Sequence, residues 1–396
     1  MNDSQMTLPL AWIELDKQAL WHNVSFLRSL SAIVTDDSNS STPLLCAAIK
    51  ANAYGHGLRE ITSLLKKQQV EYIAVHSLAE AAEARKAGWT ERILCVGYIQ
   101  RADSEQALGL NVEPTIYNLE NLRAWAAAAD KQKTTALVHL KIETGANRQG
   151  ISPDELTAFV QELAGLPQII LRGVSTHFAN IEDTTDRGFA RLQLKRFRRA
   201  LAALEQNGLK PELRHCASSA AHLVFPETRF DMIRCGIALY GHWPSKETFL
   251  SFQHRYPKLN GAGRLQPVLS LKCRIAQIKT IKKGDAVGYG LTFRAERKLK
   301  AAVLPVGYSD GLDRKLSNIG HALIGGQRVR IIGRVTMNNT VVDVTEVRDV
   351  HIEQTATLIG VDGDEKIRAE DIASLIGTIQ YEVLARLGAH LPRLIV

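Results

Sequence analysis

No apolar run in this chain approaches the roughly 18 residues needed to cross a bilayer, so a membrane-spanning protein is not expected. No cationic segment followed by an apolar core opens it either; no export signal is visible and a cytoplasmic location is expected. Cysteine is sparse and scattered. Cys46, Cys95, Cys216, Cys235 and Cys273 form no C-x-x-C pair and no metal-ligand spacing, which leaves neither a disulfide framework nor a metal centre to expect. They read as reduced core thiols. The sequence lacks an internal repeat, and it lacks a G-x-G-x-x-G at its first strand–helix unit, the mark of an open dinucleotide-binding sheet. It also lacks an aromatic–basic RNA motif. The net charge of +8, from 49 Lys and Arg against 41 Asp and Glu, therefore does not imply a nucleic-acid partner. The densest basic cluster, K-R-F-R-R at 195–199, lies in a helical stretch and reads as a solvated face. An anionic cofactor or substrate explains positive charge equally well.

What is present is an alternation. Short apolar runs at 44–49, 72–75, 93–96, 113–116, 136–142, 171–177, 213–216 and 232–234 are separated by helical patterns such as 78–87, 154–163 and 186–206. Eight short strands alternating with helices predict an α/β fold, a closed parallel (β/α)8 barrel. The polar stretch 35–43 reads as a mobile loop before the first barrel strand. From about residue 241 the texture changes. Residues 241–263, rich in Pro, Gly, His and aromatics, read as a connection. Beyond them come β-rich runs at 269–281, 300–306, 329–335, 340–344 and 356–359, with one helical stretch at 369–375. The expected division is a barrel over 1–255, whose N-terminal strand can join the other domain, and a mostly β domain over 256–396.

The chemistry-bearing residues sit at strand ends. Residues 47–57 read A-A-I-K-A-N-A-Y-G-H-G, an apolar strand ending in Lys50 and turning at once toward the next helix. In a barrel that end of a strand is the catalytic face, and apolar surroundings lower an ammonium pKa, as a Schiff-base lysine requires. A lysine snorkelling from a strand end is the plain alternative. Strings follow at 139–150 (H-L-K-I-E-T-G-A-N-R-Q-G), 173–179 (G-V-S-T-H-F-A), 215–221 (H-C-A-S-S-A-A), 234–241 (R-C-G-I-A-L-Y-G), 287–293 (V-G-Y-G-L-T-F), 305–311 (P-V-G-Y-S-D-G) and 333–338 (G-R-V-T-M-N).

Residues 47–57 resemble the lysine signature of alanine racemases, which depend on pyridoxal 5′-phosphate (PLP), and the later strings continue the resemblance along essentially the whole chain. It implies that Lys50 carries PLP as a Schiff base and acts as one of two bases. Arg148 then lies near the cofactor's phenolic oxygen and the substrate carboxylate, which its planar fork suits. Lys141 matches a lysine that is often carbamylated in the family and holds that arginine; an ordinary strand-end cation is its other reading. His177 takes a supporting role, bonded to Arg234, and Arg234 faces the pyridine nitrogen. Ser219, the backbone N–H groups of Gly236 and Ile237, and Tyr54 hold the phosphate, in the loops where such barrels bind it. Ser218 and Ser219 can equally serve as helix caps. Tyr289 is the second base and comes from the partner subunit of a head-to-tail homodimer; Arg148 and His177 supply the cationic surroundings it needs. Tyr308 lies at the entrance, with Arg314 behind it, and the Met337 N–H meets the substrate carboxylate.

Two positions depart from the pattern. Asn338 stands where many members have aspartate and others asparagine, so no carboxylate role is expected there. Ala389 falls where some members place a tyrosine that bonds the phosphate and narrows the pocket. The activity expected is interconversion of L- and D-alanine, supplying D-alanine for peptidoglycan. A racemase acting on serine or on a broader set of amino acids differs only in pocket size. A PLP-dependent decarboxylase would need a Gly-rich phosphate run and a cysteine near the C-terminus, neither of which is seen. A non-enzymatic PLP-binding protein would lack the second domain.

Overall fold

The structure, a computed structural model, describes residues 9–32, 42–259 and 265–396; the loop expected over 35–43 lies, up to residue 41, outside them. The chain forms two compact units. One comprises residues 18–53 and 61–267, the other residues 1–17, 54–60 and 268–396. The first strand, β1 (Ala11–Leu15), belongs to the second unit.

In the first unit eight parallel strands follow in chain order: β2 (Leu44–Ala48), β3 (Tyr72–Val75), β4 (Arg92–Cys95), β5 (Val112–Ile116), β6 (Ala136–Lys141), β7 (Ile169–Ser175), β8 (Leu213–His215) and β9 (Met232–Cys235). They pair from β8 back through β2, and β2 then pairs with β9, Leu44 opposite Met232 and Ala47 opposite Cys235. Between β8 and β9 there is no continuous ladder. Two backbone hydrogen bonds, Asp231 N–H to Arg214 O (3.0 Å) and Arg234 N–H to Ala217 O (2.9 Å), draw them together. The sheet is thus a nearly closed barrel, as the alternation predicts. Strands covered on both faces read as unbroken apolar runs, and β3 is buried at all four positions. All five cysteines are free and buried, and burial pushes the Cys95, Cys216, Cys235 and Cys273 thiols up to about 12.

The reading of 241–263 as a connection needs correction, because it contains the helix Lys246–Arg255. Ser245 caps it, accepting the Thr248 N–H at 3.0 Å, and Glu247 and Arg255 complement its dipole at opposite ends. The aromatics there are packing residues: Phe252 meets Phe26 and Trp243 edge-on or tilted at 5.8 and 5.1 Å.

The second unit is mostly β. One sheet runs in the order Gln327–Arg330, His321–Ile324, Thr355–Asp362, Leu269–Arg274, β1 and Arg393–Ile395, with Glu365–Ile367 added on Thr355–Asp362. A second joins Gln277–Ile281, Leu299–Leu304 and Thr340–Asp343, and a short ribbon pairs Ala286–Val287 with Phe293–Arg294. The run 269–281 is therefore two strands in two sheets. The switch occurs where the Ile275 N–H bonds Gln354 O and the next N–H, Ala276, bonds Val303 O. The run 329–335 likewise keeps strand structure only to Arg330.

Candidate active site

Lys50 stands two residues beyond the end of β2, after buried Ile49, and is half-buried. The chain then makes a left-handed turn, with φ of 53°, 52°, 54° and 54° at Ala51, Asn52, Ala53 and Tyr54, closed by the Ala53 N–H on Ile49 O at 2.8 Å. Such φ values cost roughly 1–2 kcal/mol per non-glycine residue. They redirect the chain within one turn and leave Lys50 at the strand's mouth. Burial lowers the Lys50 pKa, Arg148 and Arg234 lower it further, and Glu80 opposes them.

Lys141, Arg148, His177 and Arg234 join Lys50 as one electrostatic group. Burial and the charges of Arg234, Arg148 and Lys50 bring Lys141 down to about 8, against a smaller opposing effect of Glu143. Burial first, then Arg234, Lys141, Arg148 and Lys50, holds His177 at about 3, so its ring is neutral. Lys141 Nζ donates to Gln149 Oε1 at 3.4 Å, and Gln149 donates on to Tyr117. The loop bearing Arg148 is tied down by Arg196, which donates to Thr144 O at 2.9 Å, and by the Glu143 carboxylate, which accepts the Gly145 N–H. So many cation-capable groups around one lysine call for an anionic ligand.

Arg234 is held differently from the expectation. Its hydrogen bonds go to the His215 ring (2.5 Å), His215 O (2.7 Å) and Thr176 O (2.7 Å), so it is His215 rather than His177 that bonds it. The His177 carbonyl instead takes Gln193 Nε2 at 3.1 Å. Behind His215 runs a buried relay: His215 Nε2 meets His139 Nδ1 at 2.8 Å, and His139 Nε2 meets Glu113 Oε2 at 2.8 Å. The hydrogens follow from the donor inventory. Arginine has no acceptor, so His215 Nδ1 accepts; His215 Nε2–H then donates to His139, and His139 Nε2–H to Glu113. Burial would raise Glu113, but the bonds from His139 and Arg92 bring it below its ordinary value. Burial keeps both histidines neutral, against Glu113 at His139. A side chain at position 173 could not coexist with this relay, since a Cβ there would lie 2.2 Å from His139 Nδ1. The sequence shows His139 and His215 inside motifs but assigns them no role, and Glu113 goes unassigned there too; its signal is a carboxylate within a strand buried at every position.

After β8, Ser219 Oγ accepts the Gly236 N–H at 2.9 Å and the Ala238 N–H at 3.4 Å. The Gly236 N–H, expected to face a phosphate, is thus engaged by Ser219, which brings the loops after β8 and β9 together and keeps its own proton to donate. Neighbouring Ser218 has a buried hydroxyl with no protein partner and makes no side-chain cap bond to the helix that follows. Ile237 and Gly236 begin the turn that leads out of β9. An orphaned buried hydroxyl, a donor serine and the cationic group at the same end of the barrel fit an anionic, PLP-like cofactor.

The remaining residues lie in the second unit. The Tyr54 ring is tilted against Tyr381 at 6.2 Å, and Arg393 donates to Gly55 O at 2.9 Å. Tyr289 begins a short 3-10 turn (Tyr289–Leu291) within the ribbon and is 75% exposed. Tyr308 and Met337 are brought together. The Tyr308 N–H bonds Thr336 O and the Ser309 N–H bonds Met337 O, both at 3.0 Å, and Asn338 Nδ2 donates to Ser309 Oγ at 2.9 Å. Gly307 permits this approach, since a Cβ there would lie 2.3 Å from Met337 O. Beneath the loop, buried Asp310 accepts the Gly307 N–H (2.8 Å) and bonds His390 Nε2 (2.8 Å). Ala389 is exposed.

Family models described as alanine racemase, N-terminal domain, and alanine racemase, C-terminal domain, match residues 15–244 and 268–395. An alanine racemase of Desulforamulus reducens is 36% identical over 96% of this chain and 98% of its own length. Among solved structures, alanine racemase from the D-cycloserine producer Streptomyces lavendulae superposes with a TM-score of 0.88 at 31% identity, covering 98% of both chains. A histidine racemase from Leuconostoc mesenteroides superposes with a TM-score of 0.86 at 28% identity, covering 98% of this chain and 99% of its own.

Proposed function

This chain belongs to the alanine racemase family, and we propose that it is a PLP-dependent isomerase interconverting L- and D-alanine, with Lys50 and Tyr289 as its two bases. The observation that carries the reading is the cation-rich group around a lysine whose own ammonium is disfavoured. Lys50 would hold the cofactor covalently; the Ser219 and Tyr54 hydroxyls and the Ile237 N–H would take its phosphate, joined by the unpartnered Ser218 hydroxyl, while the Gly236 N–H stays with Ser219. Bound there, PLP withdraws electrons from the amino acid's Cα and so acidifies its Cα–H.

Inverting a planar carbon requires proton transfer on both faces. Lys50 serves one face. Tyr289 of a partner subunit serves the other, and its exposure in the single chain suits a side chain that completes a neighbouring site. Arg148 and the Met337 N–H orient the substrate carboxylate, Tyr308 stands at the entrance, and Arg148 alone of the two residues expected to do so supplies cationic surroundings, because the His177 ring is neutral. Arg234 would donate a hydrogen bond to the cofactor ring nitrogen without surrendering a proton, because a guanidinium remains charged at neutral pH. The relay through His215 and His139 to Glu113 keeps it oriented. By leaving that nitrogen unprotonated, Arg234 would limit how much charge leaves Cα and so favour prompt reprotonation there over transamination. Lys141, carbamylated or unmodified, supports Arg148. The product is D-alanine for peptidoglycan, made in the cytoplasm by a homodimer.

Ala389 supports a second reading, a racemase that also accepts serine or larger side chains, because a methyl group there leaves room that a tyrosine would fill. Purified protein supplied with PLP and incubated with L-alanine or L-serine separates the two when the D-enantiomer is quantified by chiral chromatography. D-alanine formed much faster than D-serine is the expected result. Comparable D-serine would support the broader racemase, and turnover of neither would leave only a PLP-binding protein.

A further inference from the structure

Residues 77–80, S-L-A-E, have the spacing of a capping box, in which the fourth residue's carboxylate turns back to the backbone N–H of the capping residue. Half of that box is present. Ser77 caps the helix Leu78–Lys86, its Oγ accepting the Glu80 N–H at 3.2 Å. The Glu80 carboxylate goes elsewhere. Oε2 accepts the N–H of His76, just beyond β3, and Oε1 accepts the N–H of Ala51, the first residue of the left-handed turn beyond β2, each at 2.7 Å. One side chain thus ties together the exits of two neighbouring barrel strands, at the residue next to Lys50.

We propose that Glu80 is the positioning residue for Lys50: its carboxylate anchors the left-handed turn at Ala51 and stands as the counter-charge to the Lys50 amine. The turn needs an anchor. Four consecutive non-glycine residues occupy a conformation that L-residues leave when free to do so, and they persist only where the surroundings over-determine them. Glu80 supplies an acceptor on a helix capped independently by Ser77, so the anchor does not move with the turn. The electrostatics agree. The charged groups acting on Lys50 are Arg148 from the loop after β6, Arg234 from β9, and Glu80 from the helix after β3; Glu80 alone is negative. Lys141 at the end of β6 and the neutral ring of His177 after β7 complete the ionisable group that Lys50 influences. Glu80 therefore works against the cations that disfavour the ammonium.

The inference rests on the reading that Lys50 carries PLP, and the test keeps the two apart. Glu80→Gln retains the side chain's shape but has one acceptor atom, so at least one of the two backbone bonds is lost together with the charge; Glu80→Ala loses everything. Two measurements are made on the full chain. The first is amide hydrogen exchange of the PLP-loaded protein, followed by mass spectrometry over residues 49–54 and 73–77. The second is the pH dependence of PLP capture by Lys50, trapped with borohydride and located by peptide mapping. We expect exchange in one or both segments to rise about tenfold or more in Glu80→Gln, with the helix Leu78–Lys86 unchanged. The midpoint of capture should move to lower pH, because removing a nearby negative charge favours the neutral amine. Unchanged exchange and an unchanged midpoint in Glu80→Gln would reduce Glu80 to an ordinary helix-capping residue, and that variant suffices should Glu80→Ala fail to fold. Borohydride label on a different lysine would overturn the Lys50 reading instead, while the exchange data still decide whether Glu80 holds the turn.

Discussion

Individual residues in this protein are held away from their ordinary ionisation by burial, and the consequence is a sign that can be measured. His177 and His222 are each lowered to about 3, by burial first and by neighbouring arginines second. An unfolded histidine takes up a proton below about 6.5. Between that value and about 3 the unfolded chain therefore binds more protons at these positions than the folded one. Their contribution is fully favourable above about 6.5 and is lost as pH falls through the window, on the order of 2 kcal/mol per histidine by about pH 5. Thermal unfolding followed by circular dichroism should show a lower midpoint at about pH 5 than at about pH 7. His222→Asn, which removes a ring outside the candidate site, should make that drop smaller. An identical drop in the variant would mean that other groups carry the acid sensitivity.

Among the elements, the loop from Gly307 to Asp310 fixes the position of Met337, whose N–H is proposed to meet the substrate carboxylate. Its two backbone bonds to Thr336 and Met337 set where Met337 lies, and Asp310 holds the loop from below through the Gly307 N–H and His390. Asp310→Ala strands a buried N–H, a loss of about 1–3 kcal/mol. The expected result is a KM for alanine raised by about tenfold, with a smaller fall in kcat, because binding geometry rather than proton transfer is disturbed. Asp310→Asn, which keeps an oxygen for the Gly307 N–H, should restore most of the loss. A fall in kcat at constant KM would place Asp310 in the chemistry rather than in positioning.

For the molecule as a whole the proposed sharing of active sites makes a quantitative statement. Lys50→Ala and Tyr289→Phe should each be inactive in the interconversion. Mixed after dissociation in equal amounts and reassociated, half of the dimers are hybrids, and one site in each hybrid pairs an intact Lys50 with an intact Tyr289. Activity should return to about one quarter of the unsubstituted protein's, the proportion that a two-fold assembly dictates. No recovery from folded, reassociated protein would mean that Lys50 and Tyr289 of a single chain work together.

Much of the architecture was determined by the sequence alone, because a strand buried on both faces and a helix solvated on one leave local periodicities. All eight barrel runs correspond to strands, and Lys50 sits at the end of the first of them because apolar residues precede it and a turn must follow. Other features were decided only by what lies alongside. The aromatic stretch before the second unit becomes a helix because Phe26 and Trp243 give Phe252 a surface to pack on. The run 269–281 divides because consecutive N–H groups at Ile275 and Ala276 meet acceptors from different strands. The partners of Arg234 lie 19 and 58 residues away, and the relay behind it passes from β8 over Gly173 of β7 to β6 and β5, side chains that only the assembled sheet brings into line. Glu80 shows the same limit most plainly. Its spacing from Ser77 spells a helix cap, but the direction of a carboxylate is set by which N–H groups lack an acceptor nearby, and the fold brings Ala51 and His76 to it. Periodicity is written in local order, whereas the pairing of donors with acceptors is written in space.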